Sequence, residues 1–370
     1  MSLFRKKTVS EEDYYLASQW KLMGRKLAKH KLARVSMTVL AVLYIIALFA
    51  NFIAPQGLTE YDSKSKDLKP TVIHMWDTEK NFHGPFVYGF TTRRDPVTFE
   101  KVFKEDPNKI YKIHFFVQGE EYRFLGIIPC SLHLFGVEEG GRLFIMGSDS
   151  MGRDLFSRLV IGSQVSLTVP LVGTAISFVL GILLGGISGY FGGWIDMLIQ
   201  RVIEVITSFP SIPLWMALSA AIPADIPIVR MYLYITIIMS FISWTGLARI
   251  VRGKFISLRK EDYVMAARIA GVSDFNIIIK HLVPGFMGYL IVNLTLEIPN
   301  MIIGETSMSF LGLGMRSPAT SWGVLLQEAQ NISNIALYPW KLIPLFFVII
   351  TVLAFNFLGD GLRDAADPYK

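Results

Sequence analysis

A single cysteine, Cys130, stands in 370 residues. One thiol makes no intramolecular disulfide, so a small scaffold held by disulfides is excluded. Charge is scarce too, with Asp, Glu, Lys and Arg at 18% of the chain, against roughly 25% in ordinary soluble domains. A phosphate-binding loop is missing. The one Gly-Lys pair, Gly253-Lys254, has Ala248 where the first glycine of G-x-x-x-x-G-K-[ST] would stand, and Phe255 where the hydroxyl residue would follow. The chain therefore offers no backbone cradle for a nucleotide. His74, His83, His114 and His133 fall in one segment without H-x-x-x-H spacing, so no metal ligand set is expected. Neither G-x-S-x-G nor H-E-x-x-H occurs. No catalytic residue, no metal and no cofactor bound by this chain are expected.

Apolar residues supply what charge does not. They make up 52% of the chain, with a mean hydropathy of +0.44. Leu159 to Ile195 carries no Asp, Glu, Lys or Arg over 37 residues, and a helix needs about 20 apolar residues to cross hydrocarbon. The expected fold is an all-α polytopic membrane protein. Its spans read Val35 to Ile53, Val165 to Ile187, Val202 to Ile222, Met231 to Ala248, Leu282 to Gly304 and Leu342 to Leu358. Gly181, Gly185 and Gly189 recur every four residues, a stripe that lets another helix approach closely.

Charge distribution assigns the sides. Residues 1–34 carry nine basic residues against Glu11, Glu12 and Asp13, which puts this cytoplasmic basic segment inside. Ser10 with Asp13 marks a helix start, and Tyr14, Tyr15 and Trp20 suit an interfacial helix; a loose basic tail is the alternative. The first span then occupies residues 35–54. Residues 55–158 hold 14 basic and 15 acidic residues, too many to desolvate in lipid, and are expected to form an extracytoplasmic insertion, α/β or β-rich. Within it, Tyr111 to Val117, a Gln118-Gly119 turn and Glu121 to Phe124 read as a β-hairpin. Residues 159–358 form a five-helix core with a loop at 249–284, and residues 359–370 a cytoplasmic tail. Residues Arg249 to Lys280 carry seven basic residues against three acidic ones, which puts that loop inside as well.

The loop is the most informative segment. Glu261 to Gly271 has the residues of a short helix, acidic at its start and stopped by glycine. Ser273 can cap a second helix running Asp274 to His281, closed by Pro284. Two short helices would make a compact knob, with Ala266, Ala267 and Gly271 as a smooth surface for another protein. An ordinary connector is the bland alternative.

At this point the chain resembles the permease subunits of type I ATP-binding-cassette importers, whose cytoplasmic loop reads E-A-A-x-x-x-G-x(9)-I-x-L-P. Ala266, Ala267, Gly271 and Pro284 fall on that pattern, while Met265 replaces the glutamate and Val283 the leucine. Asp262-Tyr263-Val264, Arg268 and His281 look like the dipeptide and oligopeptide branch. Gly147-Ser148-Asp149, Gly152-Arg153-Asp154 and Ser157-Arg158 are similar to the family's approach to its second span. Glu305 to Gly314 and Asn356 to Pro368 resemble its fifth-span exit and the end of the second, C-type permease.

The resemblance implies six transmembrane helices, with Tyr263, Val264, Met265, Ala266, Ala267, Arg268, Gly271, His281 and Pro284 as the ATPase-coupling loop. It implies a homologous second permease, two ATPases carrying ATP and Mg, and an external solute-binding protein, in a bacterial inner membrane with both termini cytoplasmic. Nucleic acid has no place among these partners. Peptides are the implied cargo, with oligosaccharides or nickel as rivals, and a non-transporting scaffold or sensor as the rival from another class. Glu305, Ser309 and Glu297 are the candidate translocation-pathway residues, with Glu305 either facing a polar pore or pairing with a neighbour.

Overall fold

The computed structural model of the protein describes residues 19–94, 96, 101–124, 126–223, 226–316 and 319–367. Ser10, Asp13, Tyr14, Tyr15 and Pro368 lie outside them.

An amphipathic helix, α1 (Gln19–Lys29), ends in Lys26 and Lys29 and leaves Trp20 exposed. His30 then caps α2 (Lys31–Leu48) by accepting from Ala33 N at 3.1 Å, and a last turn, α3 (Ala50–Ile53), completes the first apolar crossing. Further long apolar helices are α4 (Leu155–Phe191), α7 (Ile228–Leu258), α10 (Met287–Phe310) and α12 (Ile343–Ala366), the last two separated by the short α11 (Trp322–Gln327).

The expected straight span Val202 to Ile222 is replaced by α5 (Gly193–Thr207) and α6 (Ser211–Ala220), bent by 83°. The cause is local. Pro210 has no N–H for the preceding turn and pushes Phe209 out of the α region. Among the described residues, five helices are long and apolar enough to cross a membrane, or six if the bent pair counts as one span. The second, fourth and sixth crossings also run longer than the apolar runs alone, because polar helix ends extend beyond them.

Residues between α3 and α4 form an antiparallel sheet in the order β1 (His74–Trp76), β2 (Phe82–Arg94), β3 (Lys101–Phe124) and β4 (Ile128–Val137). The hairpin turn expected at Gln118-Gly119 is not there. β3 runs straight through, and the chain reverses after Phe124 instead. At Gly119 three residues of β3 oppose one of β4, and a β-carbon there would meet the His133 ring at 2.7 Å. The glycine serves close approach at a bulge, a role that a turn-forming glycine mimics in sequence.

Among the described residues two apolar cores hold the crossings together, and a third lies under the 262–282 segment. Of the first two, one joins α4, α7 and α10 through Val169, Ile235, Met239, Ala248 and Met301; the other joins α2, α4, α10 and α12 through Leu40, Leu167, Ile302 and Phe355. Gly181, Gly185 and Gly189 face α7 so closely that β-carbons would meet Leu247 at 2.9 Å, the Ala248 carbonyl at 2.4 Å and the Arg252 carbonyl at 2.6 Å. α1 and the end of α12 meet where Lys26 Nζ donates to the Asp367 carbonyl at 2.8 Å. The 262–282 segment packs at that same end of the bundle, and the sheet at the other.

Candidate functional site: a two-helix knob and a polar crevice

The knob begins with α8 (Asp262–Ile269), with Asp262 in its first turn and Arg268 in its last, each complementing the helix dipole. It stops in a Schellman arrangement, in which Gly271 N donates to the Arg268 carbonyl at 3.0 Å and Val272 N to the Ala267 carbonyl at 3.1 Å. Gly271 has φ +77°, which a side chain would strain. Ser273 precedes α9 (Asp274–Ile277), and its hydroxyl accepts from Asn276 rather than from the helix start. α9 is shorter than the helix expected to reach His281. Its continuation, Ile278–Leu282, is a π-turn that delivers Pro284 to the next crossing.

Rigid attachment follows from which side chains point inward. Val264, Ala267, Ile277 and Leu282 bury against Val251, Phe255, Phe286 and Leu290. Tyr190, at the end of α4, ties the two short helices together: its hydroxyl donates to Asp274 Oδ1 at 2.5 Å and accepts from Arg268 Nη2 at 2.9 Å. Arg268 also lies 5.3 Å from the Tyr190 ring centre. Arg259 caps the same helix end by donating to the Gly189 and Tyr190 carbonyls at 3.1 and 2.9 Å. Tyr190 and Arg259 carried no signal in the sequence, because their partners are about 70 residues away.

The exposed side of the knob keeps Ala266 and Gly271 of the expected small-residue surface, but most of it is larger and apolar. Ala267 faces the bundle, whereas Tyr263, Met265, Ile269 and Phe275 project outward, with Ile269 86% exposed. His281 is half-buried and Pro284 exposed.

The three candidate pathway residues separate. Glu297 lines a crevice of about 140 Å³ with Thr174, Ser177, Ser243 and Asn293. It also lines a wider one of about 530 Å³ at the α5–α6 bend, with Thr207, Trp215 and Asn300. Glu305 and Ser309 line neither. Both are fully buried, with Ser309 Oγ donating to Glu305 Oε1 at 2.7 Å and accepting from Met315 N at 3.1 Å. The carboxyl thus pairs with a neighbour and ties the turn after α10 back onto the helix. Glu305→Ala is expected to cost about 1–3 kcal/mol by stranding that hydroxyl, read as a lower melting temperature of the purified protein. Glu305→Gln, which keeps an acceptor oxygen, is expected to melt close to the parent.

A second polar cluster lies at the sheet end. Asp149 accepts from Arg153 Nε at 2.6 Å and from the buried Arg158. Lys341, also buried, donates to Asp67 at 2.6 Å and lies 3.4 Å from Glu328. Ser148 joins these strands of chain, accepting from Leu68 N at 2.8 Å and donating to the Ser65 carbonyl. Asp154 caps α4 by accepting from Ser157 N at 2.8 Å and Ser157 Oγ at 2.6 Å. Burial pushes its carboxyl up to about 6, against the lowering effect of those donors. An acid with a raised folded-state pKa holds its proton longer when folded, so stability falls as pH rises from about 4 to 6 and stays lower above. The full loss is on the order of 3 kcal/mol. Asp154→Asn is expected to flatten that decline, measured as melting temperature against pH.

Apolar crossings around shared cores, a bent helix pair and a rigid knob at one end define a multi-pass helical membrane protein of the permease class. The chain belongs to the family described as binding-protein-dependent transport system inner membrane component, whose profile matches residues 181–369. Residues 18–70 match the N-terminal TM domain of oligopeptide transport permease C. It is similar to the oligopeptide transport system permease protein OppC of Haemophilus influenzae, 43% identical over 62% of this chain and 71% of that protein. The dipeptide transport system permease protein DppC of Lactococcus lactis is 30% identical over 93% of this chain and 89% of that one. Among solved structures, the inward-facing MetNI methionine ABC transporter aligns with a TM-score of 0.46 at 18% identity, over 58% of this chain and 99% of that chain.

Proposed function

We propose that this chain forms half of the translocation pathway of an ATP-driven importer of di- or oligopeptides. A homologous permease would form the other half, two ATPases carrying ATP and Mg would drive it, and a solute-binding protein would deliver cargo. The observation that carries the reading is the knob: an apolar outward face on a rigid two-helix element, joined to three crossings by Tyr190, Arg259 and a buried core. Motion imposed on that face reaches the bundle instead of dissipating in a loop.

Residues 19–34 and the basic loop lie at one end of the bundle, and this shared basic end supports a cytoplasmic side for both termini and residues 249–284. The 55–158 insertion then lies outside. Residues 159–358 form the transport core, with Glu297 and the polar side chains around it on the cargo route. Peptides as cargo rest on the names of the similar proteins from Haemophilus influenzae and Lactococcus lactis.

The test is co-purification of the tagged chain from native membranes, followed by reconstitution. A second permease and two ATPases, with ATP hydrolysis stimulated by binding protein loaded with peptide, is the expected result. Recovery without ATPases would point to a scaffold or sensor. Stimulation by oligosaccharide or nickel instead of peptide would overturn the cargo.

A further inference from the structure

The sheet changes polarity along its length. β3 pairs with β2 over Lys101 to Lys112 and with β4 over Ile113 to Phe124, so two hairpins point in opposite directions from one strand. The β2–β3 end carries Arg93, Arg94, Lys101 and Lys104. The β3–β4 hairpin carries Phe115 and Phe116 near its base and Ile127 and Ile128 at its tip, exposed by 62, 64, 80 and 57%. Isoleucines at this exposure on a hairpin tip call for a partner that takes them out of water.

The neighbouring side chains identify that partner. Phe124, the last residue of β3, lies 5.6 Å from Phe49 between ring centres, and Phe116 lies 6.3 Å from Phe52. Phe49 and Phe52 close the first crossing, on which Val42, Ile45 and Leu48 are likewise exposed. The apolar hairpin end therefore continues the outward-facing apolar surface of a membrane-crossing helix. His133 fixes this docking, with Nδ1 2.6 Å from the Ala54 carbonyl and Nε2 3.1 Å from the Glu120 carbonyl. Acidic Glu120 and Glu121 are looped out at the bulge, which keeps them off the tip.

We propose that the β3–β4 hairpin tip, Gly126 to Ile128, is a lipid anchor that rests in the membrane interface beside the first crossing. Backbone chemistry limits its depth. β4 pairs with β3 alone among the described strands, so its outer edge has polar groups that pure hydrocarbon could not satisfy. The tip sits at the boundary of headgroups and acyl chains, and Tyr122, whose hydroxyl donates to the Leu132 carbonyl at 2.7 Å, suits that zone. The anchor would hold the insertion at a fixed tilt over the bundle. It requires the chain to be embedded in a bilayer, and it holds whichever cargo is carried.

The test uses the single native thiol. Cys130→Ser gives a background without other cysteines while keeping a hydroxyl beside Tyr122. Ile127→Cys is then spin-labelled on the purified chain, which is assembled with its partners in nanodiscs of phosphatidylethanolamine and phosphatidylglycerol. Collision with oxygen several-fold above collision with a water-soluble nickel complex is the expected result. Arg94→Cys, at the charged end, is expected to show the reverse. Nickel dominating at Ile127 would place the tip in water, and protection from both reagents would place it against another protein; either overturns the anchor. A label at Ile128 reads the same position should the Ile127 variant fail to assemble. None of these readings depends on transport, so a wrong cargo and a missing anchor are told apart.

Discussion

Ile269→Asp is expected to lower peptide-stimulated ATP hydrolysis and uptake by about 30-fold, the effect of losing about 2 kcal/mol at the centre of an interface. Ile269 is the most exposed apolar side chain on the knob and touches none of the buried core that fixes α8. The substitution therefore leaves the chain folded and paired while placing an unpartnered charge in the contact proposed for the ATPase. Reconstituted complexes separate the two effects: size-exclusion chromatography reports assembly, and hydrolysis with and without loaded binding protein reports coupling. Weak binding of ATPases to an otherwise intact pair of permeases is the expected signature. Unchanged stimulated hydrolysis would remove the knob from the coupling path. A bulky residue at Ala267 would be a poorer probe, because its β-carbon faces the bundle and the insert would wedge the knob off its seat.

The second large effect concerns folding. Gly185→Leu is expected to abolish most recoverable folded protein. A β-carbon at this position would lie 2.4 Å from the Ala248 carbonyl and 2.8 Å from the Ala248 α-carbon, both backbone atoms of α7. Side chains can rotate away from an intruder, but a helix backbone moves only by separating the pair. Gly181 and Gly189 hold the same contact on either side, so separation would open the whole α4–α7 seam. Overpacking typically costs about 1–3 kcal/mol, and this case lies at or above the top of that range. Gly253→Leu supplies the control. Gly253 is also helical, on α7, yet an added β-carbon meets nothing within 4 Å. Fluorescence-detected size-exclusion chromatography of the two variants, expressed alike, should show a folded peak for Gly253→Leu and little for Gly185→Leu.

Much of the architecture is legible in the chain because membranes impose simple demands. Runs such as Leu159 to Ile195 have one reading at that length, and α4 follows it with polar ends added. The stop of α8 at Gly271 is equally local, since a positive φ selects glycine. The candidate site was less legible. Ala267 and Met265 are two apart on one helix, and which of them faces the bundle depends on how α8 is rotated against Phe255 and Leu282. The same holds for Glu297 and Glu305: both are carboxylates in one helix, yet the crevice lies beside the first and a serine beside the second. Gly119 reads as a turn in sequence, because a glycine after a polar residue looks alike in a turn and in a bulge.

By itself the sequence determined the class of solvent, the number of crossings to within one bent pair, and the loop that makes the knob. Those features rest on composition and on contacts between residues close in the chain. Tertiary structure alone decided which face of the knob is free, where Tyr190 and Arg259 lock it, and that one hairpin end lies against the first crossing. The first depends on how α8 is turned against its neighbours, and the other two on groups 70 or more residues apart meeting in space. Apolar scarcity of charge thus fixes that the helices lie in lipid, while close packing fixes how they are turned within it.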